Sequence, residues 1–193
     1  MSRRVSAVVL AGGRSSRFGR DKLAEPVGGR AILDHAIDAV RTVATDVVVV
    51  VAPDGSSPER PDVRVVRDAT AFEGPLVGLL AGLGAARESA VLVTAGDMPE
   101  LRQAVADALL AELIGSGVDA VVLEDAGRPR PLPMAIARDP GRAAAQRLID
   151  AGERRLRALV EALAATVIPE QTWRALDPEG RSLRDVDTPN DLP

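Results

Sequence analysis

The chain has no cysteine, no tyrosine and a single histidine among its 193 residues. Without cysteine there is no disulfide framework, no thiolate-bound zinc and no thiol nucleophile. The one histidine, His35, excludes a multi-histidine metal centre. Aromatic residues make up 2 % of the sequence, too few for a stacking platform on single-stranded nucleic acid. The net charge of −4 argues against a general nucleic-acid binder. No apolar run approaches a bilayer span, and the first ten residues carry no signal-peptide pattern. The expectation is a cytoplasmic protein with neither membrane nor nucleic acid as partner, and a monomer or weak oligomer.

Lysine is almost missing as well. Of 24 basic residues only Lys22 is a lysine. A chain that writes arginine for nearly every cation, yet keeps one compact ammonium, draws attention to that position, because the two cations differ where a point charge is needed. A surface lysine surviving by chance is the plain alternative.

What is present is ordinary for a globular fold: 46 % hydrophobic and 27 % charged residues, enough for a sizeable core. Short apolar runs predict strands at Val5–Leu10, Asp46–Val51, Val63–Val66, Ala90–Ala95 and Val118–Leu123, with an extended piece at Pro131–Ala137. Helical spacing predicts helices over 31–43, 76–86, 101–114, 142–150 and 153–163, and Leu183–Asp187 reads as a short extended tail. No linker stands out, so residues 1–193 are expected to form a single domain. Strands alternating with helices imply an α/β fold with a mainly parallel central sheet covered on both faces. In such sheets ligands sit beyond the carboxyl ends of the strands.

The first such end carries Leu10-Ala11-Gly12-Gly13-Arg14-Ser15-Ser16-Arg17-Phe18-Gly19-Arg20-Asp21-Lys22. The spacing matches neither the dinucleotide fingerprint nor a Walker A loop. Its chemistry still suits phosphate: glycines let the backbone approach an anion, and Arg14, Arg17, Arg20 and Lys22 crowd four cations together. A solvated turn is the bland reading. This loop resembles the signature loop of the molybdenum cofactor guanylyltransferases, within the nucleotidyltransferases of Rossmann-like, three-layer α/β/α fold. The resemblance implies that Leu10, Ala11, Gly12 and Gly13 contact GTP and that Arg17 and Lys22 bind its phosphates.

Asp97 follows Val91-Leu92-Val93-Thr94 at another strand end. A hard carboxylate there suits Mg²⁺ carried on nucleotide phosphates, while capping of the next helix is the structural alternative. The family has an aspartate-x-proline element at this place, which favours the metal. Asp68 also ends a strand and precedes Gly74-Pro75-Leu76-Val77-Gly78; the resemblance implies contact with the guanine nucleotide. In Asp185-Val186-Asp187 the two carboxylates share a face of an extended chain. Asp187 is the expected second Mg²⁺ ligand, with capping of the terminal segment as the alternative.

On the acceptor side, Arg154, Arg155 and Arg157 stand where a helix dipole disfavours cations. Either an anion joins them or they pair with Glu153 and Glu161. The family has a similar Gly-Glu-Arg-Arg element, and the resemblance implies that Arg155, with Asp185 and Asp187, meets the phosphate of molybdopterin. Three departures stand out. Well-known members have Asn-x-Asn in place of Asp185-Val186-Asp187. Some have histidine where this chain reads Arg130-Pro131-Leu132-Pro133. Some place an asparagine after the second strand, where this chain has Val50-Val51-Ala52. The implied activity is Mg²⁺-dependent GMP transfer from GTP to molybdopterin, with Arg17, Lys22 and Asp97 catalytic. The N-terminal part would bind GTP and the C-terminal part the acceptor, in transient complexes with other cofactor-biosynthesis proteins. A cytidylyltransferase, a transferase for another phosphate acceptor, a non-catalytic nucleotide-binding module and an interaction protein remain alternatives.

Overall fold

The computed structural model describes residues 4–12, 22–53, 55–68 and 74–186. Three apolar strands form its centre: β1 (Ser6–Ala11), then, after α1 (Ile32–Arg41), β4 (Asp46–Val51), and later β6 (Ala90–Ala95). Between β1 and α1 lie a 3-10 turn, Lys22–Ala24, and a two-residue hairpin of β2 (Pro26–Val27) and β3 (Arg30–Ala31). The chain continues through β5 (Arg64–Arg67) and α2 (Pro75–Ala85) before β6. It then runs α3 (Gln103–Ser116), β7 (Ala120–Asp125), β8 (Arg128–Ala137), α4 (Arg138–Asp150), α5 (Leu156–Ala162), β9 (Thr166–Ile168) and α6 (Glu170–Arg174).

Among the described residues one sheet has the order β5-β4-β1-β6-β8-β7-β9. The pairings β5–β4, β4–β1, β1–β6 and β7–β9 are parallel, and only β8 runs against its neighbours. The mainly parallel sheet is as expected. Its side chains alternate between two cores. Val5, Ala7 and Val9 face α1, α3 and the fully buried Trp173, while Val8 faces α2, α4 and α5. Gly82 of α2 lets that helix approach closely: a Cβ there would come within 2.5 Å of Val8 Cγ1.

The register places the strand ends side by side. Ala11 pairs with Val51, Leu10 with Ala95, and Val51 with Arg67. Gly12, Ala52, Asp68 and Gly96-Asp97 therefore follow one sheet edge. The chain order steps outward from β1 to β4 and β5, then returns to β6 on the other side of β1, which opens a crevice at that edge.

Three expectations are corrected. The extended tail at Leu183–Asp187 is instead a 3-10 turn, Arg181–Leu183, followed by irregular chain to 186, and no described residue there joins the sheet. The Asp177 and Ser182 side chains bond to the turn and to the loop beside it, competing with strand geometry. The helix expected over 153–163 begins only at Leu156, because Glu153 bonds the Arg154 and Arg155 amides and holds them outside the helix. The helix expected over 142–150 begins earlier, at Arg138; Pro140 falls in its first turn, where proline is tolerated. The short pieces β9 and α6 were not predicted; three and five residues are too few for a periodic signal.

Candidate active site

The cradle begins at Leu10, Ala11 and Gly12. Leu10 and Ala11 are half-buried and Gly12 is exposed. Gly12 backs onto the loop after β4, where a Cβ would meet the Ala52 nitrogen at 3.5 Å. Gly13 and Arg17 lie outside the described residues. A cavity of about 270 Å³ opens beside Ala11, between Leu23, Leu33 and residues 55–59.

Lys22 opens the 3-10 turn, and its Nζ stands 3.4 Å from Asp97 Oδ2. The lysine side chain is 12 % exposed and that of Asp97 33 %. Next to Lys22, Leu23 seats its methyls over Gly96. A Cβ on Gly96 would lie 3.1 Å from Leu23 Cδ1 and 3.2 Å from Leu33 Cδ1. The Gly96 amide donates to the Leu10 carbonyl at 2.9 Å, tying β6's end to β1's. The hairpin behind the turn is fixed by the Ile32 amide, which donates to the Glu25 carbonyl, and by His35 Nε2, 3.0 Å from the Val27 carbonyl. The lone histidine thus supports the turn that carries the lone lysine.

Asp68 sits where β5 ends, its amide donating to the Val51 carbonyl at 2.9 Å. Its Oδ2 lies 3.7 Å from where a Gly78 Cβ would be, beside Leu10. Its Oδ1 is buried without a hydrogen-bond partner among the described residues. Buried polar atoms are normally paired, which makes this oxygen a candidate acceptor at the crevice. Neighbouring Arg67 reaches back over the loop after β4. Its Nη1 donates to the Pro53 and Gly55 carbonyls at 3.0 and 2.9 Å, and its Nη2 to Ser57 Oγ at 3.0 Å.

Divalent metal fits this arrangement through Asp97. No group of three or more metal-binding side chains exists among the described residues. Mg²⁺ does not need one, since it is held by one or two carboxylates together with substrate phosphates and water. Asp187, the expected second ligand, lies outside the described residues. The chain before it reaches the right place: the Val186 amide donates to the Asp97 carbonyl at 2.8 Å.

Asp185 has a cation beside it, and its expected companion Asp187 lies outside the described residues. Arg130 provides the cation, with its Nη2 2.9 Å from Asp185 Oδ2. Arg155 is 78 % exposed and paired with Glu153 at 2.6 Å, and Arg157 is paired with Glu161 at 3.1 Å. The Arg155 guanidinium and the Arg154 and Arg155 amides hold the Glu153 carboxyl down to about 2. The pairing alternative therefore describes these arginines as they stand. The element packs on the start of α2: the Leu76 amide donates to the Arg154 carbonyl at 3.2 Å, and a Cβ on Gly74 would meet Arg154 Cβ at 2.9 Å. Gly74 has φ of +98°, which glycine alone adopts easily.

The sequence reading gave no role to Arg67 or Arg130. Their partners lie 10–15 residues away for Arg67 and up to 55 for Arg130, and no local pattern reports such contacts.

Residues 7–167 match the MobA-like NTP transferase domain. A probable molybdenum cofactor guanylyltransferase of Chloroflexus aggregans is 33 % identical over 192 residues, covering 97 % of this chain and 91 % of the relative. A molybdenum cofactor guanylyltransferase of Desulfosudis oleivorans is 31 % identical, covering 97 % and 92 %. The solved molybdopterin-guanine dinucleotide biosynthesis protein A of Archaeoglobus fulgidus superposes with a TM-score of 0.78 at 23 % identity, covering 96 % and 94 %. A 2-C-methyl-D-erythritol 4-phosphate cytidylyltransferase of Thermus thermophilus gives 0.71 at 20 %, covering 98 % and 95 %. These two structures are similar in fold.

Proposed function

Since the chain belongs to the MobA-like NTP transferase family and is a nucleotidyltransferase, we propose that it transfers GMP from GTP to molybdopterin, releasing pyrophosphate, with Mg²⁺ as its metal. The observation that carries this reading is the Lys22–Asp97 pair, 3.4 Å apart at the joined carboxyl ends of β1 and β6. One member neutralises phosphate and the other holds the metal.

GTP lies along the strand ends, with Leu10, Ala11, Gly12 and Gly13 against it. The buried Asp68 oxygen, without a partner among the described residues, accepts from the base. Lys22 and Arg17 take the triphosphate oxygens and offset the charge that builds on the leaving pyrophosphate. Asp97 and Asp187 would hold the Mg²⁺, which would polarise the phosphates. The acceptor enters from the side of Arg155 and Asp185, and its phosphate oxygen attacks the α-phosphorus in line. That oxygen is already anionic, so no strong general base is required; the residues position and neutralise. The N-terminal part thus serves GTP and the C-terminal part the acceptor. No helix among the described residues is long and apolar enough to cross a membrane, in keeping with a cytoplasmic enzyme.

The test is incubation with molybdopterin, Mg²⁺ and each of the four NTPs, followed by mass detection of the product. A guanine dinucleotide formed only from GTP is expected. A cytosine dinucleotide, or binding without pyrophosphate release, overturns the assignment.

A further inference from the structure

Residues 177–186 lie as a strap across the loop that carries Asp97. The buried Asp177 carboxylate accepts the Ser182 amide at 2.7 Å. The fully buried Ser182 hydroxyl accepts the amide of Arg102, the N-cap of α3, at 3.1 Å. Arg181 Nη1 pairs with Glu100 Oε1 at 3.1 Å. The Val186 amide closes the series on the Asp97 carbonyl at 2.8 Å. The strap therefore grips three points of the β6–α3 loop in turn.

Its other side meets Arg130. Arg130 Nη2 donates to Asp185 Oδ2 at 2.9 Å and to the Leu183 carbonyl at 3.3 Å, while Nη1 reaches Asp125 Oδ2 at 3.2 Å. A local break in the sheet gives Arg130 this reach. Val122 of β7 pairs with Met134 of β8, yet the next residue, Leu123, pairs with Arg130. The intervening 131–133 include two prolines, which cannot donate to a ladder, and the resulting bulge re-aims the strand's first residues toward the site.

We propose that Arg130 is a positioning residue for the divalent cation of the active site. It fixes the strap one and three residues before Val186, and the Val186–Asp97 backbone bond then sets how the Asp97 carboxylate is presented. Planar guanidinium donors serve three acceptors at once, which an ammonium cannot reproduce in this geometry. The proposal rests on the nucleotidyltransferase reading and on Asp97 as metal ligand.

The test reads metal binding without turnover: Mn²⁺ titration followed by electron paramagnetic resonance, with saturating GTP and no acceptor. Arg130→Met should weaken Mn²⁺ about ten-fold, the scale of losing an outer partner of a metal ligand. GTP affinity without metal, by calorimetry, should stay within about two-fold. Asp185→Asn, which weakens one of the three contacts, should weaken Mn²⁺ less than Arg130→Met, and the double variant should be no worse than Arg130→Met alone, because that variant has already lost the pair with Asp185. A merely structural arginine lowers the melting temperature and leaves the folded protein's Mn²⁺ affinity alone. Wild-type Mn²⁺ affinity in Arg130→Met, or additive singles, overturns the proposal. Asp97→Asn separates the two levels. If it loses Mn²⁺ while Arg130→Met keeps it, only the positioning role falls. If Asp97→Asn binds Mn²⁺ like the wild type, the metal reading falls and takes the proposal with it.

Discussion

Lys22 and Asp97, 75 residues apart in sequence, meet at 3.4 Å where β1 and β6 end. The pair joins the one compact cation of the chain to the carboxylate best placed for a metal. Replacing Lys22 by arginine keeps the charge but puts a wide fork into a slot where the lysine is 12 % exposed. Lys22→Arg should lose about 10²–10³ in kcat with an unchanged circular-dichroism spectrum. Near-normal turnover would show that any cation serves.

Asp97→Asn keeps size and removes the charge. Turnover should fall by about 10²–10³, and excess Mg²⁺ should not restore it. A variant with an ordinary Mg²⁺ titration curve would move the metal to other residues.

Gly96 tests how Lys22 is held. A methyl there would stand 3.1 Å from Leu23 Cδ1 and 3.2 Å from Leu33 Cδ1, so these leucine ends must give by a few tenths of an ångström and press on the turn that carries Lys22. Gly96→Ala should lower kcat at least ten-fold, since small misplacements at a reacting centre are costly. Stability by urea unfolding should change by no more than about 1–2 kcal/mol, because the contacts are with flexible side-chain ends. A full-activity Gly96→Ala enzyme would contradict this.

At the opposite edge of the sheet, Asp46 is a stability element. It accepts from Ser6 Oγ at 2.6 Å, from Arg64 at 2.5 Å and from the Arg87 amide at 3.1 Å. Burial pushes its carboxyl up, but the Ser6, Arg64 and Arg87 donors outweigh burial and hold it below the ordinary 3.8. A folded-state value below the unfolded one gives stability that is full above the unfolded value and is lost as pH falls through the folded one. Asp46→Ala should cost about 2–3 kcal/mol at neutral pH, less than a fully buried pair because Arg64 is partly exposed. The gap between the urea midpoints of wild type and variant should narrow as pH falls below the ordinary carboxylate value; a gap that stays constant as the protein is acidified would refute the assignment.

Arg67 collects the acceptors of the loop that backs Gly12. Arg67→Ala should weaken GTP about ten-fold, the scale of one or two lost hydrogen bonds, with kcat at saturation largely kept. An unchanged calorimetric Kd would remove the loop from the nucleotide site.

The centre of this architecture was legible because its strands are apolar throughout. Val47–Val51 are all buried and follow from composition alone. The strand ends then pointed to Asp97, scarcity pointed to Lys22, and the family resemblance pointed to Asp68. The strap was not legible. Ser182 and Asp177 are polar residues in a polar stretch, and their burial depends on a loop 80 residues earlier. For the arginines near Gly152 the sequence offered two readings, an anion or ion pairing; Arg155 pairs with Glu153 and Arg157 with Glu161.

The lone reversal in the sheet has a consequence for how this scaffold can change. Because β8 runs backwards, it contributes its opening residues, not its closing ones, to the rim on which Asp97 stands. The bend joining it to β7, at exposed Ala126 and Gly127, overhangs that rim. Extra residues spliced in there would lengthen the overhang while every strand kept its partner, so the enzyme could be fitted to a bulkier acceptor without rebuilding its framework.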